Sequence, residues 1–389
     1  MTDKPRIAIV GGGLGGSTLA ILLQVAGYQV KVYEQMAEFL RIGFGIDLSA
    51  NATRIMRKIG VEARLRKPGF APAQRLSREW DTGRVLFAHL VEEWGKKYGT
   101  DLVMPRSDLN EALLSGLEPG TVVFGKRLLD LTETNTSIEL AFADGTKAES
   151  DIVVGADGIN SRVREILLGP QRPTYSGVIA YRSGFPTKLL GDFKVEADST
   201  KWWGSDRHFI TYYLTEARDE ISFISGSPQK AWDSDALSMP ADKDEIRAAF
   251  VGFHSEVQRV IEACPQASKW PLMTRDPLPL WSRGRIVLLG DACHPMRPHM
   301  GQGACQAMED AVILARCLND EVDSDFLEAF RRYEANRIGR TSKIQQESQK
   351  NQWMRHETDP DWVYSYDAFN VPLIPAPPHG VGDRLKMQA

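Results

Sequence analysis

Arg6-Ile-Ala-Ile-Val-Gly-Gly-Gly-Leu-Gly-Gly16 decides the fold, because an apolar run too short for a helix leads directly into a cluster of glycines. The run reads as a buried strand, and residues 17–26 continue as an apolar helix that Gly27 ends. Residues 29–33 give a second strand with Glu34 at its end. A βαβ unit of this kind binds an adenine dinucleotide. Gly11 serves the tight turn, Gly13 the approach of backbone to a pyrophosphate and Gly16 the packing of helix on strand, while Glu34 suits ribose hydroxyls. A glycine-rich turn in some other α/β fold is the plainer reading, and the second strand with its terminal acid weighs against it.

Far along the chain, Arg285-Ile-Val-Leu-Leu-Gly-Asp-Ala-Cys-His-Pro-Met-Arg-Pro-His-Met-Gly-Gln-Gly303 is more densely punctuated than any other stretch. Residues 286–289 read as a core strand, Gly290 turns the backbone, and Asp291 puts a carboxylate at the strand's carboxyl end, where open α/β sheets bind ligands. Pro295 and Pro298 keep the next residues out of a helix, and Gly301-Gln302-Gly303 opens one. Ala304, Ala307, Met308, Ala311, Val312, Ala315 and Leu318 then form an apolar stripe at helical spacing. The first amides of that helix lack intrahelical partners and carry the positive end of its dipole, so they suit an anion. A tight packing corner is the alternative.

Between these two corners, Arg41-Ile-Gly-Phe-Gly-Ile-Asp-Leu48 sets glycines, Gly45 among them, beside a cation and an acid, which suits backbone passing close to a flat ligand. Residues 51–59 read as a helix capped by Gly60, and residues 72–104 as strands leaving the first domain. Arg106 precedes a helix over 109–117 and stands either over the dinucleotide or on the surface. Residues 121–125 and 137–142 read as strands, Asp144-Gly145 as a hairpin turn, and Asp151-Ile-Val-Val-Gly-Ala-Asp-Gly158 as another buried strand ending in glycine and acid. Segments 177–184, 208–214 and 220–225 form the sheet of a second domain, with Trp202 and Trp203 expected at one of its edges. Helices follow over 243–253, 256–263 and 328–347, and the tail beyond 359 wraps the surface.

At 389 residues the chain has room for two or three domains, and its net charge of -4 gives no electrostatic case for nucleic acid or an anionic membrane. Cys264, Cys293, Cys305 and Cys317 show neither CxxC spacing nor a disulfide framework, as expected of core thiols in a reducing cytosol. The amino terminus runs into a strand without the apolar region of a signal peptide, and no apolar run is long enough to span a bilayer. A cytoplasmic protein is expected. No spacing of metal ligands is found.

Three signals occur in one order: GxGxxG with Glu34, then Asp157-Gly158 with Ser161 and Arg164, then Gly290-Asp291 with Pro298 and Gly301-Gln302-Gly303. Together they resemble the flavoprotein aromatic hydroxylases, single-component FAD monooxygenases of the p-hydroxybenzoate and salicylate hydroxylase type, over about residues 5–350. The resemblance implies an α/β protein with a Rossmann-like FAD-binding domain, a β-sheet-rich substrate domain and a C-terminal helix. The expected division gives the FAD-binding domain residues 1–72, 105–174 and 273–320, the substrate domain 73–104 and 175–272, and the C-terminal helix and tail 321–389. It further implies bound FAD held by Gly11, Gly13, Leu14, Gly16, Glu34, Gln35, Arg41, Gly45, Arg106, Asp157, Asp291, Pro298, Gly301, Gly303 and Ala304, with NADH or NADPH docking transiently. Lys201-Trp-Trp203, Asp206-Arg-His208, Tyr212-Tyr213, Trp270-Pro271, residues 276–284 and Cys293-His-Pro-Met296 are similar to the bacterial 6-hydroxynicotinate 3-monooxygenases. That subgroup replaces a ring carboxylate by hydroxyl to make 2,5-dihydroxypyridine.

In the subgroup the positions matching His208, Tyr212 and His299 lie at or near the substrate, although by residue type alone each also suits packing. Asp47 stands where the subgroup carries His, and Ser199 where a relative carries Cys. An anionic Asp47 repels a substrate carboxylate, yet accepts from a ring N–H or takes a hydroxyl proton. The resemblance therefore implies NAD(P)H- and O2-dependent hydroxylation of a hydroxylated pyridine carboxylate. Tyr212 or Asp47 polarises the ring hydroxyl, and His208 and His299 position the acid group. 5-Hydroxypicolinate, 6-hydroxy-3-succinoylpyridine and a salicylate-type benzoate are alternative substrates. A flavoprotein reductase, a halogenase and a non-enzymatic dinucleotide sensor are rival classes, and the chain is expected to be a monomer or homodimer.

Overall fold

The computed structural model describes residues 4–38, 44–65, 69–234, 236–320 and 325–377. Ile7–Val10 is buried at every position, and it lies between Ile152–Gly155 and Val30–Tyr33 in parallel register, with Ile7 opposite both Ile152 and Val30. A strand covered on both faces must be apolar throughout, which is why this run does not alternate. Ile286–Leu288 and Val122–Val123 extend the parallel order on either side, and Ser282–Arg283 adds an antiparallel edge. The helix Leu14–Val25 starts three residues earlier than its apolar pattern suggested, inside the glycine cluster itself. The helix expected over 109–117 likewise begins sooner, as Arg106–Leu114.

The second sheet has eight strands in the order Met239–Ala241, Ala267–Thr274, Thr174–Pro186, Glu220–Pro228, His208–Tyr213, Ser199–Trp203, Arg75–Glu79 and Val85–Ala88. Trp202 and Trp203 are therefore not at an edge. Arg75–Glu79 pairs in parallel with their strand and covers it, and Trp202 stacks on His254 at 4.7 Å between centroids. The expectation of strands over 72–104 holds for three segments, but Val91–Tyr98 is a helix, and Leu102–Pro105 pairs instead with Gly45–Leu48 in a two-stranded ribbon. That ribbon brings Gly45 and Asp47 against the second sheet. The hairpin at Gly145 forms as read, joining Ile138–Phe142 to Lys147–Ser150. All four cysteines are free and buried.

Gly303–Asp320 shows its expected apolar stripe, yet Gln306, Glu309 and Asp310 on the same helix are also fully buried. The long helix Phe326–Lys350 supplies their partners. Arg337 donates to Glu309 and Asp310 at 2.7 Å each, and Arg340 donates to Glu309 at 2.8 Å. Asp310 also accepts from the Gly290 amide at 3.1 Å and contacts His294 Nε2 at 2.5 Å, so the Gly-Asp elbow is tied to both helices. Buried charges of this kind persist only when fully paired. Here the pairing fixes the start of one helix against the end of the strand before it.

Candidate active site

A cavity of about 470 Å³ runs from the first glycine cluster to the second sheet. Gly13, Leu14 and Gly16 line one end, Asp291, Pro298, Gly301, Gly303 and Ala304 line its floor, and Gly45, Asp47, Arg106, Tyr212 and His299 line the other end. The glycines have separate tasks. A Cβ on Gly16 would lie 2.1 Å from the Gly11 carbonyl oxygen, whereas one on Gly13 would meet nothing within 4 Å. The former holds the helix against the strand, and the latter leaves room for a ligand. Both Leu14–Val25 and Gly303–Asp320 have no acid in the first turn, so their free amides present uncompensated positive ends to the cavity.

Some expected cofactor residues stand back from the cavity wall. Glu34 is buried, accepting from the Gly12 amide at 2.8 Å and the Met36 amide at 2.9 Å, and thus braces the glycine turn. Asp157 turns its carboxylate to the helix Arg162–Leu168, accepting from the amides of Arg162 at 2.7 Å and Val163 at 3.1 Å. Its backbone packs beneath Gly11. Gln35 is exposed, and Arg41 lies outside the described residues.

At the sheet end, charges are paired in ways the sequence did not disclose. Asp47 forms a two-pronged ion pair with Arg75, one arm at 3.0 Å, and Arg75 also lies 3.6 Å from Asp101. An anionic Asp47 is thereby neutralised by a neighbour from the adjacent ribbon and sheet. Lys201 donates to Asn351 Oδ1 at 2.9 Å and sits 3.7 Å from the Trp203 ring centroid. Burial and the nearby Arg355 bring its ammonium down to about 7.

The histidine tautomers follow from their partners. His299 Nδ1 lies 2.8 Å from the Ser348 carbonyl, which only accepts, so Nδ1 carries the proton. Nε2 is then an acceptor, buried and without a partner among the described residues. Asn351 gives its oxygen to Lys201 and hence its NH2 to His208 Nδ1 at 3.4 Å, which leaves the His208 proton on Nε2. His208 does not line the cavity. It stands behind His299, edge to face at 5.3 Å. Ser348 and Asn351 both come from the end of the long helix, where Asn351 adopts a left-handed conformation that asparagine tolerates. Tyr212 reaches the Gly45 carbonyl at 3.4 Å, and burial pushes its phenol above the usual value. It is a proton donor at neutral pH.

Burial also lowers the imidazoles: His299 and His89 to about 3, each chiefly by desolvation, and His208 well below 6.5. In the unfolded chain these rings titrate near 6.5, so from there down to about 3 the unfolded state binds more protons. Stability is therefore full above 6.5 and falls as pH drops through that window. The melting temperature should decline steeply from pH 6.5 to 4, and His299→Asn should flatten that decline.

Sequence reasoning did not single out Arg75, His89, Arg182, Ser348 or Asn351. Only Asn351 carried a usable signal, as a residue suited to end a long helix.

A dinucleotide cradle opening onto a ring-sized polar cavity defines a flavoprotein, and the chain belongs to the family described as FAD binding domain, matched over residues 4–348. Its relatives are FAD-dependent monooxygenases, and that is the class of this enzyme. The chain is 46% identical over 379 residues to the 6-hydroxynicotinate 3-monooxygenase of Bordetella bronchiseptica, covering 96% of this chain and 98% of that one. It is 45% identical over 380 residues to the enzyme of the same name from Pseudomonas fluorescens, with the same coverage. Among solved structures, a salicylate hydroxylase substrate complex is 26% identical with a TM-score of 0.80, covering 95% of this chain and 97% of that one. The cradle fits FAD. Gly13 leaves space where a pyrophosphate approaches, and two acid-free helix starts face it. Among the described residues no helix is long and apolar enough to cross a membrane.

Proposed function

We propose that the enzyme hydroxylates 6-hydroxynicotinate or a close hydroxypyridine carboxylate para to the ring hydroxyl, releasing the carboxylate as CO2 and forming 2,5-dihydroxypyridine. The observation that carries this reading is the one cavity in which the flavin cradle meets the Tyr212 phenol and the unpartnered His299 Nε2. The 46% and 45% identical relatives support the same ring class. The cradle would hold FAD, whose chemistry with NADH or NADPH as reductant would place one oxygen atom of O2 on the ring and release the other as water.

The protein's part is to polarise the ring and hold it. Tyr212, its own O–H given to the Gly45 carbonyl, accepts from the ring hydroxyl, and His299 Nε2 accepts from the ring hydroxyl or N–H. Because His299 Nε2 takes up a second proton only near pH 3, it polarises that bond rather than keeping the proton. Asp47, paired with Arg75, accepts a second hydrogen bond without presenting a net charge to the substrate carboxylate. The fully buried Trp202 and the apolar second core beneath the sheet keep that wall dry. The proposed working form is cytoplasmic, monomeric or homodimeric, and divided at the domain boundaries given above.

The test is a screen of purified yellow holoenzyme against hydroxypyridine and hydroxybenzoate carboxylates. 6-Hydroxynicotinate should accelerate NADH or NADPH oxidation with stoichiometric CO2 and 2,5-dihydroxypyridine. Stimulation by salicylates alone would move the assignment to the benzoate class. Among pyridines, 5-hydroxypicolinate and 6-hydroxy-3-succinoylpyridine are the competing substrates to include.

A further inference from the structure

We infer that Arg182 is an acid-selecting relay at the neck between the reaction cavity and a second cavity open to solvent, and that the ring acid enters through that second cavity. The inference rests on the ring-acid substrate proposed above. The second cavity, about 590 Å³, lies between the edge strands Met239–Ala241 and Ala267–Thr274 and the helices Lys243–Ala249 and Ser255–Ala263. Met239, Pro240, Pro265 and Gln266 on its lining are exposed, so it opens outward. It meets the reaction cavity across Phe44, Arg182 and Phe223, which line both.

Arg182 is set up to receive an anion. Its Nε is buried without a hydrogen-bond partner, and among the described residues it has no carboxylate in an ion pair. Its electrostatic neighbours are Tyr212 and the like-charged Arg106, and burial holds it below the ordinary guanidinium value. A buried guanidinium left in this state is costly unless a ligand completes it. The surroundings also fit a flat ring. Arg182 lies 5.6 Å from the Trp270 centroid, and Phe44 meets Trp270 edge to face at 5.9 Å. The second cavity's lining includes Lys243 as its other cation and no Asp or Glu. An aromatic carboxylate thus meets cations and no carboxylate from the mouth of the second cavity to the neck, whereas a cation meets like charge there.

Among the described residues, the other cations of the reaction cavity have different surroundings. Arg75 is held by Asp47 and Asp101, Lys201 is held by Asn351 and sits near neutrality, and Arg106 has Asp291 as an electrostatic neighbour. Among the described residues Arg182 is the one cation that lines both cavities, and its buried Nε has no partner.

The experiment uses flavin-loaded wild type, Arg182→Gln and Arg182→Lys, with Kd read from the perturbation of the bound flavin's visible absorbance. Loss of a charge-assisted hydrogen bond in a desolvated site weakens binding by about 10- to 100-fold. Arg182→Gln should weaken the ring acid by that factor, leave the matching carboxamide within about twofold, and be partly rescued by Arg182→Lys. An unchanged Kd for the acid, or equal losses for acid and carboxamide, overturns the relay. The route is tested by Ser238→Trp at the mouth of the second cavity. Stopped-flow association and dissociation rates of the acid should fall together, roughly fivefold or more, with Kd unchanged, since blocking a path alters both directions equally. Unchanged rates, or a changed Kd at unchanged association rate, overturn it. Wild type that responds to no ring acid overturns the proposed substrate class instead, so the two failures are told apart.

Discussion

Gly16→Val is expected to yield a colourless, less stable protein, and Gly13→Val a colourless protein with the melting temperature of the flavin-free wild type. The difference follows from where the added atoms go. At Gly16 a Cβ falls 2.1 Å from the Gly11 carbonyl oxygen and 3.2 Å from Ile9. Neither can retreat, because Ile9 is fully buried in the parallel sheet and the Gly11 amide is bonded to the Tyr33 carbonyl at 2.8 Å. The helix must lift from the strand, which displaces the amides that cradle the pyrophosphate and costs about 1–3 kcal/mol in packing. At Gly13 the backbone is extended, φ -69° and ψ -174°, a conformation valine adopts freely, and the new side chain enters empty space on the cavity wall. Folding is spared there and only the ligand is excluded. The ratio of flavin to protein absorbance, with melting curves of both variants, checks this. A yellow Gly13→Val protein would show that the pyrophosphate lies elsewhere.

The contrast between those two glycines also marks what was legible in the sequence. Short apolar runs and helical spacing, together with glycine punctuation, disclosed the parallel core strands, the flavin cradle and the two helix starts, because each is a local pattern within about twenty residues. The partners of Asp47 and His299 were not legible. Arg75 reaches Asp47 only because the ribbon Gly45–Leu48 with Leu102–Pro105 packs beside the second sheet, and Ser348 reaches His299 only at the far end of a 25-residue helix. Nor did spacing show that Glu309 and Asp310 are buried. An apolar stripe predicts one hidden face, whereas here Arg337 and Arg340 from the next helix let the opposite face be hidden too. Trp202 and Trp203 were misplaced for the same reason, since a parallel strand contributed from residues 75–79 leaves no mark on the strand it covers.

Tyr212→Phe should retain full flavin content and form product about 10²-fold more slowly, with the loss in kcat rather than in KM. The phenol is not among the atoms that hold the dinucleotide. It stands on the inner face of strand His208–Tyr213, against Gly45 and Ser222, at the end of the cavity away from Gly13. Its raised pKa is decisive for the role. A phenol pushed up by burial remains protonated through the working range. Its O–H goes to the Gly45 carbonyl, so its oxygen accepts from the ring hydroxyl, and that bond strengthens as the para carbon attacks the electrophilic oxygen and the ring hydroxyl becomes more acidic. Removing one positioned proton acceptor of this kind typically costs about 10²–10⁴ in rate. Desolvation of the substrate and the His299 contact survive the substitution, which is why binding should change little. The pH profile gives an independent check. With the neutral phenol as the working form, the wild-type rate declines at alkaline pH only when the phenol ionises, above its ordinary value of 10, and Tyr212→Phe abolishes that alkaline limb. If the alkaline limb persists in Tyr212→Phe, or the rate is unchanged, the ring is activated by Asp47 and His299 without the phenol.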